Sequence, residues 1–234
     1  MDPASLLKSA SDVAVLTGAG VSAESGIPTF RGSSVSGGGY WQQFRFEDLA
    51  TPEAFARDPK FVWTWYEERR RAIAKAQPNA GHFALVELEK RKFRFTLITQ
   101  NVDGLHDLAG SKNVLKLHGD IWNVRCLACG VERADRSELN DLPPRCKCGG
   151  MLRPGVVWFG EMLPEGAMER AAAAVRAADV LIVAGTSAQV YPAAGLIPMA
   201  RAVIEINPEA TAYSDDVTFS IRGTSAEILP RLIA

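Results

Sequence analysis

The chain has 234 residues, 47% of them hydrophobic and 23% charged, with Lys plus Arg at 26, Asp plus Glu at 27 and a formal net charge of −1. These proportions exclude a wholly disordered chain, and the near-neutral balance lacks the basic footprint of a general nucleic-acid binder. No apolar run reaches the roughly 18 residues of a spanning helix, and Met1–Ser5 shows no basic segment leading into an apolar one, so the reading is a cytoplasmic α/β enzyme, monomeric, with neither nucleic acid nor membrane as partner.

Asp12 to Thr17 (DVAVLT) reads as a short buried strand ended by Gly18-Ala19-Gly20. Ser33 to Gly39 is Ser/Gly-rich without apolar period and reads as a loop. Pro59 to Ala76 is a helix candidate, with Phe61, Val62, Trp65, Tyr66 and Ile73 at near-helical spacing. Gly81 to Lys92 reads as a second helix, and Phe93 to Thr99 (FRFTLIT) as a central strand. Asn113 to His118 alternates apolar and polar residues, as a short strand does. Residues 122–155 then change character, with all four Cys, several Pro and Gly and no long periodic run. An Ala-rich helix (Glu165 to Ala178), a buried strand (Asp179 to Ala184), another strand (Ala202 to Ile206) and a closing helix (Ser225 to Ile233) follow. This alternation predicts a Rossmann-like parallel sheet with helices on both faces. The expected division is 1–121 with 156–234 as that domain, and 122–155 as a zinc-binding module within a smaller inserted domain that part of 33–80 joins.

Gly18-Ala19-Gly20-Val21-Ser22-Ala23 fits G-x-G-x-x-G/A after a strand, the turn that brings a pyrophosphate to a helix N-terminus. In that reading Gly18 supplies the turn, Gly20 lets the backbone approach phosphate, and Ala23 is small enough for helix–strand packing. A Gly-rich turn that binds nothing is the other reading. The ribose-binding carboxylate expected about 20 residues on is missing, which disfavours an ordinary hydride-transfer dehydrogenase. Gly185-Thr186-Ser187 and Asn207-Pro208-Glu209 offer hydroxyl, amide and carboxylate groups for a ribose instead.

Cys126-x2-Cys129 and Cys146-x-Cys148 lie 16 residues apart. Two close thiol pairs can converge on one tetrahedral zinc ion and fill its coordination sphere, which makes that zinc structural rather than catalytic. Two disulfides are the alternative, and the absence of a visible secretion signal argues against them. Of the three histidines, His82 follows a turn and reads as structural, while His106 and His118 lie near the strand end at Gln100–Asp103. His118, taken as the end of a strand before Gly119, is the better general-base candidate.

Together these stretches resemble the sirtuin family: GAGVSAESGIPTFRG (Gly18 to Gly32), TQNVDGLH (Thr99 to His106), LHG (Leu117 to Gly119), the four Cys, RPGVVWFGE (Arg153 to Glu161) and GTS (Gly185 to Ser187) run in family order across nearly the whole chain. The resemblance implies NAD-dependent removal of acyl groups from protein lysines, with NAD consumed as co-substrate and acylated lysine peptides as partners. It implies that Gly18, Ala19, Gly20, Glu24, Thr29, Phe30 and Arg31 line the NAD site, and that Gln100, Asn101, Val102 and Asp103 hold ribose and nicotinamide. Gly185, Thr186, Ser187, Asn207, Pro208 and Glu209 take the adenosine side, with Ser225, or Ala226 one register on, as a last contact. In the implied mechanism the acyl-lysine amide oxygen attacks the anomeric carbon as nicotinamide leaves, and His118 acts as base toward the ribose hydroxyls. The products are lysine, nicotinamide and an O-acyl-ADP-ribose. Val156, Val157, Phe159, Gly160 and Glu161 resemble the segment that pairs with substrate backbone as an added strand.

Tyr66 and Arg69 sit three apart on the first long helix candidate and share a face. In the deacylase class of sirtuins a Y-x-x-R pair binds the carboxylate of succinyl- or malonyl-lysine, and Arg suits a carboxylate because its planar fork pairs both oxygens. The competing reading takes Glu67-Glu68-Arg69-Arg70-Arg71 as a solvated charged face. The expected enzyme is thus a desuccinylase and demalonylase that also accepts acetyl groups. A mainly deacetylating member, a non-catalytic NAD-sensing module and a zinc hydrolase are the alternatives, the last opposed by a closed four-Cys site.

Overall fold

Strand β1 (Asp12–Thr17) is buried along its whole length and parts two aliphatic cores. Val13 and Val15 face Leu7, Leu85, Leu88 and Leu229, while Ala14 and Leu16 face Ala171, Val175 and Leu196. Burying each of the larger side chains contributes roughly 1.5–3 kcal/mol, and a strand that must satisfy cores on both sides reads as a continuous apolar run.

The computed structural model describes residues 2–29 and 46–234, giving only the backbone of Phe46 and Glu47. Phe30, Arg31 and the stretch 33–39 lie outside the described residues. Among those described, the further strands are β2 (Arg94–Thr99), β3 (Val114–Lys116), β4 (Gly119–Cys126), β5 (Glu132–Ala134), β6 (Leu152–Val156), β7 (Val180–Ala184), β8 (Val203–Ile206) and β9 (Phe219–Ile221). The helices are α1 (Pro3–Ser9), α2 (Gly20–Ala23), α3 (Phe46–Leu49), α4 (Pro52–Arg57), α5 (Pro59–Lys75), α6 (Ala80–Arg91), α7 (Leu105–Ala109), α8 (Ala167–Ala177) and α9 (Ser225–Ile233), with a 3₁₀ turn at Ala193–Met199. None is long and apolar enough to cross a membrane.

Six parallel strands in the order β3-β2-β1-β7-β8-β9 form the large sheet. Residues of α1, α6 and α9 pack on one face and of α8 on the other, the expected Rossmann-like architecture. The long helices begin where their local chemistry dictates. Asp58 and Thr51 accept hydrogen bonds from Phe61 and Ala54 backbone N–H groups, each just before a proline in the first turn. Such caps contribute about 1 kcal/mol each. Helix α6 opens on a reciprocal capping box between Asn79 and His82.

The second sheet is antiparallel, in the order β5-β4-β6. It departs from the aperiodic reading of 122–155, because β4 is eight residues long and starts at Gly119. Its alternation is broken by a register shift between Gly119 and Val124, which hides the period. Helix α5 lies over this sheet with Trp63, Trp65 and Tyr66 packed among Ile121, Trp122, Val124, Leu152 and Trp158. The expected strand 113–118 is shorter, so His118 sits in the link between β3 and β4 rather than at a strand end. Gly119 follows at φ +79, where an added Cβ would lie 2.2 Å from the Gly155 carbonyl oxygen.

Candidate functional site

The carboxyl ends of β1, β2 and β7 converge, the place where open parallel sheets take ligands. Here the close approach is backbone on backbone. A Cβ on Gly20 would lie 2.7 Å from Gly185 Cα, and one on Gly18 would lie 2.8 Å from Thr186 Cβ. Gly20 N–H donates to the Gly185 carbonyl at 2.7 Å. The left-handed position is Gly185, at φ +60, rather than Gly18, so Gly18 is needed for space and not for the turn. Ala23 corrects a second expectation: it is exposed at the end of α2 and packs no helix onto the sheet.

Beneath these loops lies a buried polar floor. Ser22 Oγ donates to Asp103 Oδ2 at 2.8 Å and accepts from Asn101 Nδ2 at 3.3 Å. Asn101 Nδ2 also reaches the Gly18 carbonyl at 3.0 Å. Asp103 Oδ1 accepts from Leu105 N–H at 2.8 Å. Burial pushes the Asp103 carboxyl up from its ordinary range, against the pull of the Leu105 and Ser22 donors and of Arg69. His82 Nδ1 accepts the Asn79 N–H at 3.3 Å, so its proton sits on Nε2, 3.5 Å from Ser22 Oγ. The structural reading of His82 holds for its capping box, but its ring also reaches this floor. Sequence reasoning left out Ser22 and His82 as members of it, because nothing in their spacing ties α2 to α6.

His106 is buried, with Nε2 3.0 Å from Thr17 Oγ1, which donates in turn to Thr99 Oγ1. Its ring centre lies 4.9 Å from that of His82. Burial drives both imidazoles toward the neutral form, His82 to about 4 and His106 to about 3. His118 is half-buried, and its Nδ1 lies 3.0 Å from the Gln100 carbonyl oxygen. A carbonyl can only accept, so Nδ1 carries the proton and neutral His118 keeps its lone pair on Nε2. Burial lowers its pKa, against the Gln100 hydrogen bond, which favours the base form near pH 7. Val102 is half-buried beside this end of β2.

Toward β8, Gln100 Nε2 donates to Thr186 Oγ1 at 3.1 Å, and Asn207 Nδ2 reaches the Thr186 carbonyl at 3.4 Å. Ser187 is half-buried, and Pro208 and Glu209 are exposed. Glu24 accepts from Ala226 N–H at 3.0 Å, which joins α2 to the start of α9, where the Ser225 side chain is buried. Thr29 is half-buried at the edge of the described residues. Buried Glu205 anchors the loop after β8, accepting from the hydroxyls of Thr211, Ser214 and Ser220.

The charged run on α5 is not one solvated face. Tyr66 and Arg69 are 1% and 8% exposed and Arg71 side chain 50%, so the run divides between interior and surface. The Arg69 guanidinium lies over the Trp65 ring at 4.9 Å and near Tyr66 at 5.8 Å, and Asp103 acts on its charge. Tyr66 is tied to the 156–161 segment, since its Oη accepts the Trp158 indole N–H at 2.9 Å. Val156 is buried, Val157 half-buried and Phe159 and Gly160 exposed. Val157 N–H donates to the His118 carbonyl at 2.9 Å and Phe159 N–H to that of Ala50 at 2.9 Å. Glu161 carries out a local task as well: its carboxylate pairs with both Nη atoms of Arg153 and accepts the Trp158 N–H at 2.8 Å.

At the far end of the second sheet the four sulfurs of Cys126, Cys129, Cys146 and Cys148 lie within 4.8 Å of one another. Cys126 and Cys148 are 3.6 Å apart and Cys129 and Cys146 3.9 Å. A tetrahedral zinc with Zn–S near 2.3 Å needs sulfurs about 3.8 Å apart, so the donor set fits that ion. Ala128 and Cys129 N–H groups point at Cys126 Sγ at 3.4 and 3.5 Å and favour its thiolate.

Comparison with known proteins agrees with this geometry. The Sir2 family model matches residues 18–192. An Aquifex aeolicus NAD-dependent protein deacylase is 58% identical over 206 residues, covering 86% of this chain and 84% of that protein. A Pyrobaculum aerophilum NAD-dependent protein deacylase 2 is 49% identical over 238 residues, covering 100% and 94%. Among solved structures, a Sir2 homologue in complex with NAD superposes with a TM-score of 0.93 at 48% identity, covering 100% of this chain and 93% of that one. A Sir2–p53 peptide–NAD+ complex gives 0.85 at 31%, covering 98% and 95%. A family model that matches most of the chain, and relatives 49–58% identical over most of its length, show that the chain belongs to the Sir2 family.

Proposed function

We propose that this chain removes acyl groups from protein lysines at the expense of NAD, and that it takes succinyl and malonyl as well as acetyl groups. The observation that carries the second half is the burial of Arg69 beside Tyr66, with Asp103 near enough to act on its charge. A guanidinium withdrawn from water favours a carboxylate that reaches it, and a phenol beside it adds a donor. In this reading the acyl chain enters between α5 and the floor formed by Asn101 and Asp103. His118 Nε2 takes a proton from the ribose hydroxyls of NAD, with its tautomer fixed by the Gln100 carbonyl. Asn101 and Asp103 orient the nicotinamide end, Thr186 and Asn207 the adenosine end, and 156–161 pairs with the peptide backbone. The zinc, when bound by the four cysteines, supplies structure and no open coordination position.

The test uses acetyl, succinyl and malonyl versions of one lysine peptide, with and without NAD. Turnover is expected for all three and only with NAD. His118→Ala is expected to lower kcat by about 10²–10⁴-fold, the usual worth of a general base, while NAD binding persists. Arg69→Met is expected to lower the succinyl-to-acetyl ratio of kcat/KM by about 30-fold or more, since truncating one partner of a buried charge pair costs roughly 2–5 kcal/mol. An unchanged ratio would remove the acid-pocket reading and leave a deacetylase.

A further inference from the structure

Tyr66 Oη has one proton to give and two lone pairs to fill. Trp158 Nε1–H can only donate, and it fills one of those lone pairs at 2.9 Å with both side chains buried. Among the described residues, no acceptor takes the phenolic proton. Burial pushes the Tyr66 pKa up to about 12, so the proton stays in place across the working pH range.

The indole that sets this arrangement is itself held on three sides. The Arg153 guanidinium carbon lies 3.4 Å from the centre of its ring. Phe55 packs against it with ring centres 5.1 Å apart. Its backbone N–H is fixed by Glu161 at 2.8 Å. The N–H direction is therefore set by packing before any substrate arrives.

We infer that Trp158 is a positioning residue for acyl-group choice: its indole N–H occupies the accepting side of Tyr66 and leaves the phenol a committed donor toward an acyl carboxylate. This rests on the acid-pocket reading of Tyr66 and Arg69. A phenol free to rotate would offer a lone pair to a carboxylate in some of its orientations, which repels it. The Trp158 contact removes those orientations and makes the pocket selective for an acceptor. Trp158 thereby couples the segment proposed to pair with the peptide backbone to the pocket proposed to read the acyl end, through the chain Glu161–Arg153–Trp158–Tyr66.

The experiment replaces Trp158 by benzothienylalanine, which keeps the bicyclic shape and loses only the N–H, and in parallel makes Trp158→Phe. Both are assayed on succinyl and acetyl versions of one peptide, alone and combined with Tyr66→Phe. The expected result is a fall of about 5- to 10-fold in the succinyl-to-acetyl ratio of kcat/KM, the size of one lost buried hydrogen bond. It should appear in KM for the succinyl peptide and vanish in the Tyr66→Phe background. Parallel losses on both peptides, or an undiminished effect in the Tyr66→Phe background, would overturn the role of Trp158. Those outcomes leave the acid pocket standing wherever Tyr66→Phe by itself shifts the ratio. If Tyr66→Phe shifts nothing, the pocket reading fails and the role of Trp158 falls with it.

Discussion

The two sheets bury different kinds of side chain. Around the large sheet the packing is Val, Leu, Ile and Ala with one buried aromatic, Phe95, among the described residues. Around the second sheet, aliphatic residues such as Val62, Ile121 and Leu152 are joined by Trp63, Trp65, Tyr66, Trp122 and Trp158, and with them Glu67, Arg69, Arg70 and Arg153 are buried. Aliphatic packing is non-directional, so it supports a platform and tolerates exchange of similar volumes. Indole N–H and guanidinium groups each need an acceptor at a particular place, as Trp63 finds in the Leu152 carbonyl at 2.8 Å. The second region is therefore the less forgiving of the two, and it is the region that holds the Tyr66–Arg69 pair proposed above to read the acyl group.

The largest expected effect follows from the end of that region which has the least core. Cys129 and Cys148 are exposed, and β5 has no buried residue, so little apolar packing holds this end together. Structural zinc in small folds contributes about 10 kcal/mol or more of folding free energy. Cys126→Ser, or a strong chelator, is expected to reduce folded yield and to expose 119–156 to hydrogen exchange while β1, β2 and β7 stay protected. Equal loss of protection in both sheets would show that the regions do not differ in this way.

Next is Arg70, 2% exposed, which donates to the carbonyls of Asp135 at 2.6 Å and Ser137 at 2.9 Å and lies 3.6 Å from Glu67. It ties α5 to the loop after β5. Removing one member of a buried ionic cluster strands the other, at a cost of about 3–5 kcal/mol. Arg70→Ala is expected to destabilise the chain by that amount in urea unfolding. A change below about 1 kcal/mol, the range of an exposed ion pair, would place Arg70 with the surface residues.

The large sheet has its own sensitivity, to acid. His82 and His106 are held neutral, with values of about 4 and about 3 against an ordinary 6.5. Their stabilisation is fully present above pH 6.5, where both states are neutral. As pH falls from 6.5 toward 4 and then 3, the unfolded chain takes up protons that the folded chain refuses. Stability then drops by roughly 1.4 kcal/mol per pH unit for each imidazole. Unfolding free energy is expected to fall between pH 6.5 and 5, with exchange rising first in α6 and α7, which carry these rings. A flat profile over that window would show that these rings are not held neutral in the fold.

The contrast also decides how much was legible in the sequence. β1 and β7 were readable because strands buried on both faces leave unbroken apolar runs, and the glycine loops because only glycine fits where an added Cβ would lie within 3 Å of the neighbouring loop. The cysteine cluster was readable because ligand spacing is local. What stayed hidden is non-local or interrupted. β4 lost its period to a register shift, and the pairing of Ser22 with His82 joins residues that only the fold brings together. Gly18 fits the fingerprint for a different steric reason, close approach to Gly185 and Thr186 rather than the turn, and exposed Ala23 fits its spacing without the packing role that the fingerprint implies. In the run from Glu67 to Arg71, sequence alone could not say which charges face inward, because α5 is covered by a sheet that comes later in the chain.

Arg71 gives the smallest effect and the cleanest control on that last point. It is one residue from Arg70, but its side chain is half exposed, and its nearest partner, Glu138 at 2.8 Å, is exposed as well. Its other contact, to Glu67 at 3.7 Å, is backed up by Arg70 and by the Leu139 N–H at 3.2 Å. An exposed ion pair contributes about 0–1 kcal/mol and is screened by salt. Arg71→Ala is therefore expected to shift unfolding free energy by less than about 1 kcal/mol at 0.15 M salt. It should also leave the succinyl-to-acetyl ratio where it was, because nothing from Arg71 reaches Tyr66. A loss as large as that of Arg70→Ala would mean that the charged run acts as one network, with the exposed turn of α5 holding the buried one in place.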